Sequence, residues 1–128
     1  RYKPFGYLNL EAIRMAAGAA ALVVSRAGAS ALFEIAAWGL PSIIIPINDS
    51  NGDHQRKNAF YFARAGASVV IEEDNLKPNI LISEIDRIVS NSDLQAEMKK
   101  AAKTLACPAA AEKIAKEIIS IAMEHEPA

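Results

Sequence analysis

A parallel α/β sheet with flanking helices is the fold class this 128-residue sequence predicts, and three observations carry it. Three short apolar runs, Leu22-Val23-Val24, Ile43-Ile44-Ile45 and Ser68-Val69-Val70-Ile71, are rich in β-branched residues and bounded by small or turn-forming ones, as strands buried on both faces are. Helical patterns fill both gaps between them. The spacing is too short for anything but strand, helix, strand in immediate succession, the signature of a right-handed parallel arrangement. The core is therefore Rossmann-like.

Each element has its own signal. Residues 10–17 form a candidate helix ahead of the sheet. The helix over 29–38 stops at Gly39-Leu40-Pro41, and the one over 53–65 stops at Gly66; glycine at C′ and proline just beyond are ordinary helix terminators. After the third strand the sequence is helical throughout. Pro78 suits the first turn of a helix carrying Leu81, Ile85, Ile88 and Val89 on one face. Leu94, Met98, Ala101 and Leu105 mark the next, with Asn91 and Ser92 as candidate caps. Ile114, Ile118, Ile121 and Ala122 mark a last helix that starts near Pro108. With no internal repeat or low-complexity tract, residues 1–128 read as a single domain.

Composition narrows the function. At 52% hydrophobic and 23% charged residues the chain is expected to fold rather than stay disordered. A net charge of −1 with no Lys/Arg block excludes the electrostatic footprint of a nucleic-acid binder. Cys107 is the single cysteine and cannot pair within the chain, and no charged leader precedes an apolar run, so a reducing cytoplasm is the expected compartment. The apolar run 40–47 is broken by Pro41 and Pro46 and falls far short of the ~20 residues a spanning helix needs, so no transmembrane segment is expected. No carboxylate pair or His cluster has ligand spacing, so neither a metal nor a resident cofactor is expected. The sequence opens on Arg1-Tyr2-Lys3-Pro4 without an initiator Met, which is expected of a piece of a longer chain.

In an open parallel sheet, ligands bind beyond the carboxyl ends of the strands. The first loop there is Ser25-Arg26-Ala27-Gly28-Ala29-Ser30. Gly28 permits a sharp turn or a close ligand approach, and the helix that follows offers unpaired N–H groups and a positive dipole end suited to phosphate. Glu34 lies one helical turn past Ser30, where a carboxylate can accept hydrogen bonds from the two ribose hydroxyls. There is no G-x-G-x-x-G, and the acid lies close by rather than ~20 residues on, so a nicotinamide enzyme is disfavoured. The second loop, Asn48-Asp49-Ser50-Asn51-Gly52-Asp53-His54-Gln55, is polar and leads to Asn58. Gln55 and Asn58 share a helix face, and their amides suit the hydroxyls of a sugar.

These segments together, Ser25-Arg26-Ala27-Gly28-Ala29-Ser30, Glu34-Ile35-Ala36-Ala37, Gly39-Leu40-Pro41, an apolar strand with proline, Asp53-His54-Gln55 with Asn58-Ala59, and Ala65-Gly66-Ala67, resemble the MurG family of bacterial glycosyltransferases, glycosyltransferase family 28. The likeness runs from Tyr7 to about Ile121. It implies a GT-B architecture of two Rossmann-like domains, with this chain as the C-terminal, donor-binding one and the N-terminal acceptor domain absent. The implied activity is an inverting hexosyltransfer: N-acetylglucosamine passes from UDP-N-acetylglucosamine, a donor substrate and not a cofactor, to undecaprenyl-diphosphate-MurNAc-pentapeptide in peptidoglycan synthesis, lipid I becoming lipid II. Glu34 then matches the acid on the ribose, Ala29, Ser30 and Ala31 the helix start along the diphosphate, and Gln55 and Asn58 residues at the N-acetylglucosamine. His54 stands where some members have a second glutamine, and the uracil contact falls on backbone near Leu10. Ala31 replaces a frequent Thr, and Ala21 a usual Asp. The catalytic base belongs to the absent part, so the fragment alone is expected to be inactive. The parent enzyme is expected at the inner face of the membrane as a peripheral protein, meeting its polyprenyl-linked acceptor through the N-terminal domain.

Other readings remain open. A related transferase with a lipid or secondary-metabolite acceptor, a nucleotide-sugar-binding subunit that works with a separate partner, and a ligand-free interaction module each fit part of the pattern. Individual residues have plainer roles to weigh as well: Arg26 in a salt bridge within the domain, Asp53 as a helix N-cap, Phe33 and Trp38 in core or interdomain packing, and Cys107 as a buried small side chain.

Overall fold

The structure, a computed structural model, describes residues 2–49 and 51–124. Strands β1 (Val23–Ser25), β2 (Ser42–Ile44) and β3 (Ser68–Val70) form one parallel sheet in the order β1-β2-β3. Val24 lies level with Ile43, and Ile43 with Val69. Helix α1 (Leu10–Ala19) precedes the sheet, and the crossovers are α2 (Ala29–Trp38) and α3 (His54–Arg64). Three helices follow: α4 (Pro78–Val89), α5 (Ser92–Leu105) and α6 (Ala110–Glu124). The expected elements are all present, with boundaries shifted by a residue or two. Strand, helix and strand in close succession leave a parallel crossover as the short connection the chain can make.

The central strand divides the core. Successive strand residues face opposite sides. Ile44 therefore packs with Leu32, Ile35 and Ala36 of α2 and with Ala59 and Phe62 of α3, while Ile43 and Ile45 pack with Ile71, Ile88 of α4 and Met98 of α5. Ser42, Ile43 and Ile44 are all fully buried, and each isoleucine contributes roughly 1.5–3 kcal/mol of transfer free energy. One turn apart on α5, Met98 and Ala102 belong to opposite clusters, so this helix ties the two halves of the core together.

Two-sided burial holds for β2 but not for β1. Val24 is 43% exposed, although its register partner Ile43 is fully buried against α4 and α5. The apolar stripe expected on α6 forms, with Ile114, Ile118 and Ile121, but this helix has no buried residue. Cys107, expected to be buried, is exposed. It lies in the connection between α5 and α6, and a connection flanked by a helix that buries nothing has little to cover it. Phe33 is likewise exposed, whereas Trp38 packs against the α2 side of the core with Ala17 and Ala20.

The caps explain where the helices start and stop. Asn9 and Asn91 accept hydrogen bonds from the N–H groups of Ala12 and Leu94 at 2.9 and 3.0 Å, which caps α1 and α5. Helix α2 ends at Gly39, whose φ of 66° is the left-handed conformation that closes a helix; its N–H and that of Leu40 bond back to Ala36 and Ile35.

Candidate functional site

Because the strands are parallel, the loops that follow β1, β2 and β3 emerge at one end of the sheet. A single carboxylate brackets all three. Glu73, in the 3₁₀ turn Glu73–Asn75 after β3, accepts from Arg26 Nη2 at 2.6 Å on one oxygen and from the Asn48 N–H at 3.2 Å on the other. Arg26 also donates to the Ile45 carbonyl at 3.4 Å, and Asn48 Nδ2 to Asp74 at 2.7 Å. The Asn48 N–H first and the Arg26 guanidinium second hold the Glu73 carboxyl below the usual carboxylate range. Arg26 thus forms the salt bridge within the domain that its sequence position allowed. Glu73 was not singled out from sequence, although the run Glu72-Glu73-Asp74 directly after a strand, at the ligand end of a parallel sheet, is a signal that could have found it.

The start of α2 lies at the same end. Gly28 occupies its N-cap with φ −64° and ψ 139°, ordinary extended backbone, so the sharp turn expected of this glycine is not what the position requires. What the missing side chain provides is space: a Cβ built at Gly28 meets nothing within 4 Å. It also leaves the helix without a side-chain cap. The helical ladder begins with Leu32 N–H to Gly28 O at 3.1 Å, so the N–H groups of Ala29, Ser30 and Ala31 precede it. Ala29, Ser30 and Glu34 are exposed and Ala31 is half-buried. Glu34, four residues past Ser30, stands on the same face of the helix.

The second loop enters α3 through two left-handed residues, Gly52 at φ 61° and Asp53 at φ 59°. Asp53 holds the N-cap position but makes no capping side-chain bond, because its left-handed backbone departs from the extended geometry in which a cap carboxylate reaches the first turn. His54, exposed, folds over Gly52, with Nε2 3.1 Å from where a Cβ would stand. Ser50 lies outside the described residues.

Gln55 and Asn58, half-buried on α3, both reach Ala27. Gln55 Oε1 accepts from the Ala27 N–H and from the Ile47 N–H, each at 3.2 Å. Asn58 Nδ2 donates to the Ala27 carbonyl at 3.2 Å. The two amides expected at a sugar therefore grip the residue that immediately precedes Gly28. A polar depression of about 360 Å³, lined by Pro46, Asn48, Asp53, Arg56, Glu72 and Asp74 among others, opens beside this clamp, and Gly28, Ser30 and Glu34 are not in its wall. Leu10 is 75% exposed and lines a separate depression with Glu11, Arg14 and Met15, which shares no residue with the loops after β1 and β2. Among the described residues, no group of three or more His, Cys, Asp or Glu side chains is placed to hold a metal ion. No described helix is long and apolar enough to cross a membrane.

The arrangement has known counterparts. The sequence profile of the glycosyltransferase family 28 C-terminal domain matches residues 2–118. A curated relative from Lactobacillus helveticus, named UDP-N-acetylglucosamine--N-acetylmuramyl-(pentapeptide) pyrophosphoryl-undecaprenol N-acetylglucosamine transferase, is 43% identical over 94 residues, covering 73% of this chain and 26% of the relative. A protein of the same name from Acetivibrio thermocellus is 43% identical over 113 residues, covering 88% of this chain and 30% of that one. The crystal structure of Acinetobacter baumannii MurG superposes with a TM-score of 0.78 at 28% identity, over 88% of this chain and 32% of that chain. The chain thus spans between a quarter and a third of the length of these relatives, 26% and 30%.

Proposed function

This chain belongs to the glycosyltransferase family 28 C-terminal domains, and from that premise we propose that it is the donor-binding half of a transferase moving N-acetylglucosamine from UDP to an undecaprenyl-diphosphate-linked N-acetylmuramyl-pentapeptide. The observation that carries the reading is the uncapped, solvent-open start of α2 at the carboxyl end of β1, with Glu34 one turn along the same face.

The chemistry follows from that placement. An acceptor hydroxyl attacks the anomeric carbon, the bond from that carbon to the diphosphate oxygen breaks, and UDP leaves with the electron pair. Negative charge develops on the diphosphate, and the N–H groups of Ala29, Ser30 and Ala31, with the positive end of α2, are arranged to stabilise it. The open space at Gly28 lets the phosphate approach the backbone. Glu34 accepts from the ribose hydroxyls, His54 stands at the sugar, and backbone near Leu10 meets the uracil. The base that takes the acceptor's proton is assigned to the N-terminal half of the parent enzyme, which also docks on the membrane and holds the polyprenyl-linked acceptor. Donor and acceptor sites on separate domains make reaction depend on bringing them together. The bound sugar nucleotide is a substrate, and no resident cofactor enters this scheme.

Titration of UDP-N-acetylglucosamine into the labelled chain tests the reading. Amide shifts are expected at residues 28–31, with saturation, and Glu34→Ala should weaken binding roughly ten- to a hundredfold, the range of a lost hydrogen bond to a charged group. Absence of shifts in the wild-type chain, or an unchanged affinity in the variant, would overturn the assignment. Transferase turnover by the isolated chain would contradict the division of labour.

A further inference from the structure

The turn after β3 reaches the start of α2 through one side chain. Arg26 leaves the loop after β1 two residues before Gly28, the N-cap of α2, and its Nη1 donates to the Ile45 carbonyl just past β2 at 3.4 Å. That contact is at the long limit of a hydrogen bond and fixes little. The short contact is the other one, 2.6 Å from Nη2 to Glu73 in the turn Glu73–Asn75. Glu73 is itself tied by its second oxygen to the Asn48 N–H at 3.2 Å. The Arg26 side chain is 47% exposed, so packing does not hold it, and an arginine has more rotamer freedom to lose than most side chains. The carboxylate of Glu73 therefore selects the conformer that Arg26 adopts. The backbone at Arg26 is tied locally as well, its carbonyl accepting from the Ser25 hydroxyl at 3.0 Å.

We propose that Glu73 is a positioning residue of the donor site: through Arg26 it sets the loop between β1 and α2, and with it the N–H groups at the start of α2, without itself touching the nucleotide. This assignment rests on the reading that the start of α2 holds the diphosphate. Arg26 and Glu73 cancel in net charge, so what the pair supplies to an anion beside it is chiefly geometry. A substitution that keeps the charge and shortens the reach therefore isolates the positioning effect. Glu73→Asp does both, because it withdraws the carboxylate by one methylene from a contact of 2.6 Å.

The experiment measures the dissociation constant of UDP-N-acetylglucosamine and the melting temperature for the wild-type chain, Glu73→Asp, Arg26→Met and the double variant. Glu73→Asp is expected to weaken binding about two- to fivefold, the range of an exposed ion pair. In the Arg26→Met background the same substitution should weaken it no further, which is the coupling that action through Arg26 requires. Should Arg26→Met not fold, Arg26→Gln closes the same cycle. A carboxylate with a structural role alone lowers the melting temperature and leaves the dissociation constant of the folded chain where it was; that outcome would overturn the proposal. A loss that persists undiminished without Arg26 would overturn it equally, since Glu73 would then act by its own contact with the nucleotide or through Asn48. If the wild-type chain did not bind the nucleotide, the donor-site reading itself would fall and this assignment with it, whereas additive losses in a chain that binds would sink this assignment only.

Discussion

At the scale of single residues, the loops at the carboxyl end of the sheet are held to one another by charge and by amides. Glu73 accepts from two different loops, and both contacts favour its ionised form. A group whose folded pKa is depressed contributes stability that is present above its unfolded value, about 4.3 for glutamate, and that is lost as pH falls through the folded value. We predict that Glu73→Gln lowers the urea midpoint at about pH 7 and that the gap to wild type narrows as the pH falls below about 4.3 and through the lowered folded value. A gap that does not narrow with falling pH would mean the bracket acts by shape alone. Ser68 presents the opposite case. Its hydroxyl is buried and, among the described residues, has no hydrogen-bond partner, so Ser68→Ala should raise stability by up to about 1 kcal/mol in the same denaturation assay.

At the scale of elements, the helix starts divide into those capped by a side chain and those left uncapped. Asn91 caps α5 with its side chain, and Asn91→Ala should cost about 1 kcal/mol of stability. Gly28 leaves α2 uncapped, with space above it. Gly28→Ser would supply a cap; we predict unchanged or higher melting temperature together with weaker UDP binding, the reverse of the Asn91 substitution in its effect on stability. Gly39 is bound by geometry on two counts. Its φ of 66° disfavours any side chain, and an added Cβ would lie 2.7 Å from Lys103 Cε. Gly39→Ala should therefore destabilise by about 1–2 kcal/mol, and pairing it with Lys103→Ala should recover only the part due to collision, since the backbone strain remains.

At the scale of the whole molecule, packing is uneven. The two core clusters meet at β2, and Met98 on α5 is 3% exposed. Met98→Ala should cost about 2–5 kcal/mol, as core truncations do. Ile118 is 62% exposed on a helix with no buried residue, so Ile118→Ser should leave the melting temperature of this chain nearly unchanged. Equal losses from the two substitutions would show that α6 packs in solution as the core helices do.

The sequence by itself determined the fold class, the order of its elements and the end of the sheet where the candidate site lies. Those features depend on local periodicity, on helix stops such as Gly39 and Pro41, and on strand polarity, all of which are written along the chain. The residues of the two polar loops were legible as a group, and Arg26 was legible as an internal ion pair. What only the tertiary structure decided is which atoms those residues use on one another. Gln55 and Asn58 share a helix face by spacing alone, but that their amides close on Ala27, 28 and 31 positions away, follows from how the two crossovers pack on Ile44. Glu73 joins Arg26 across 47 positions for the same reason. The exposure of Val24, Cys107 and the α6 stripe was equally out of reach, because an apolar pattern records what a face can bury and not whether another element covers it.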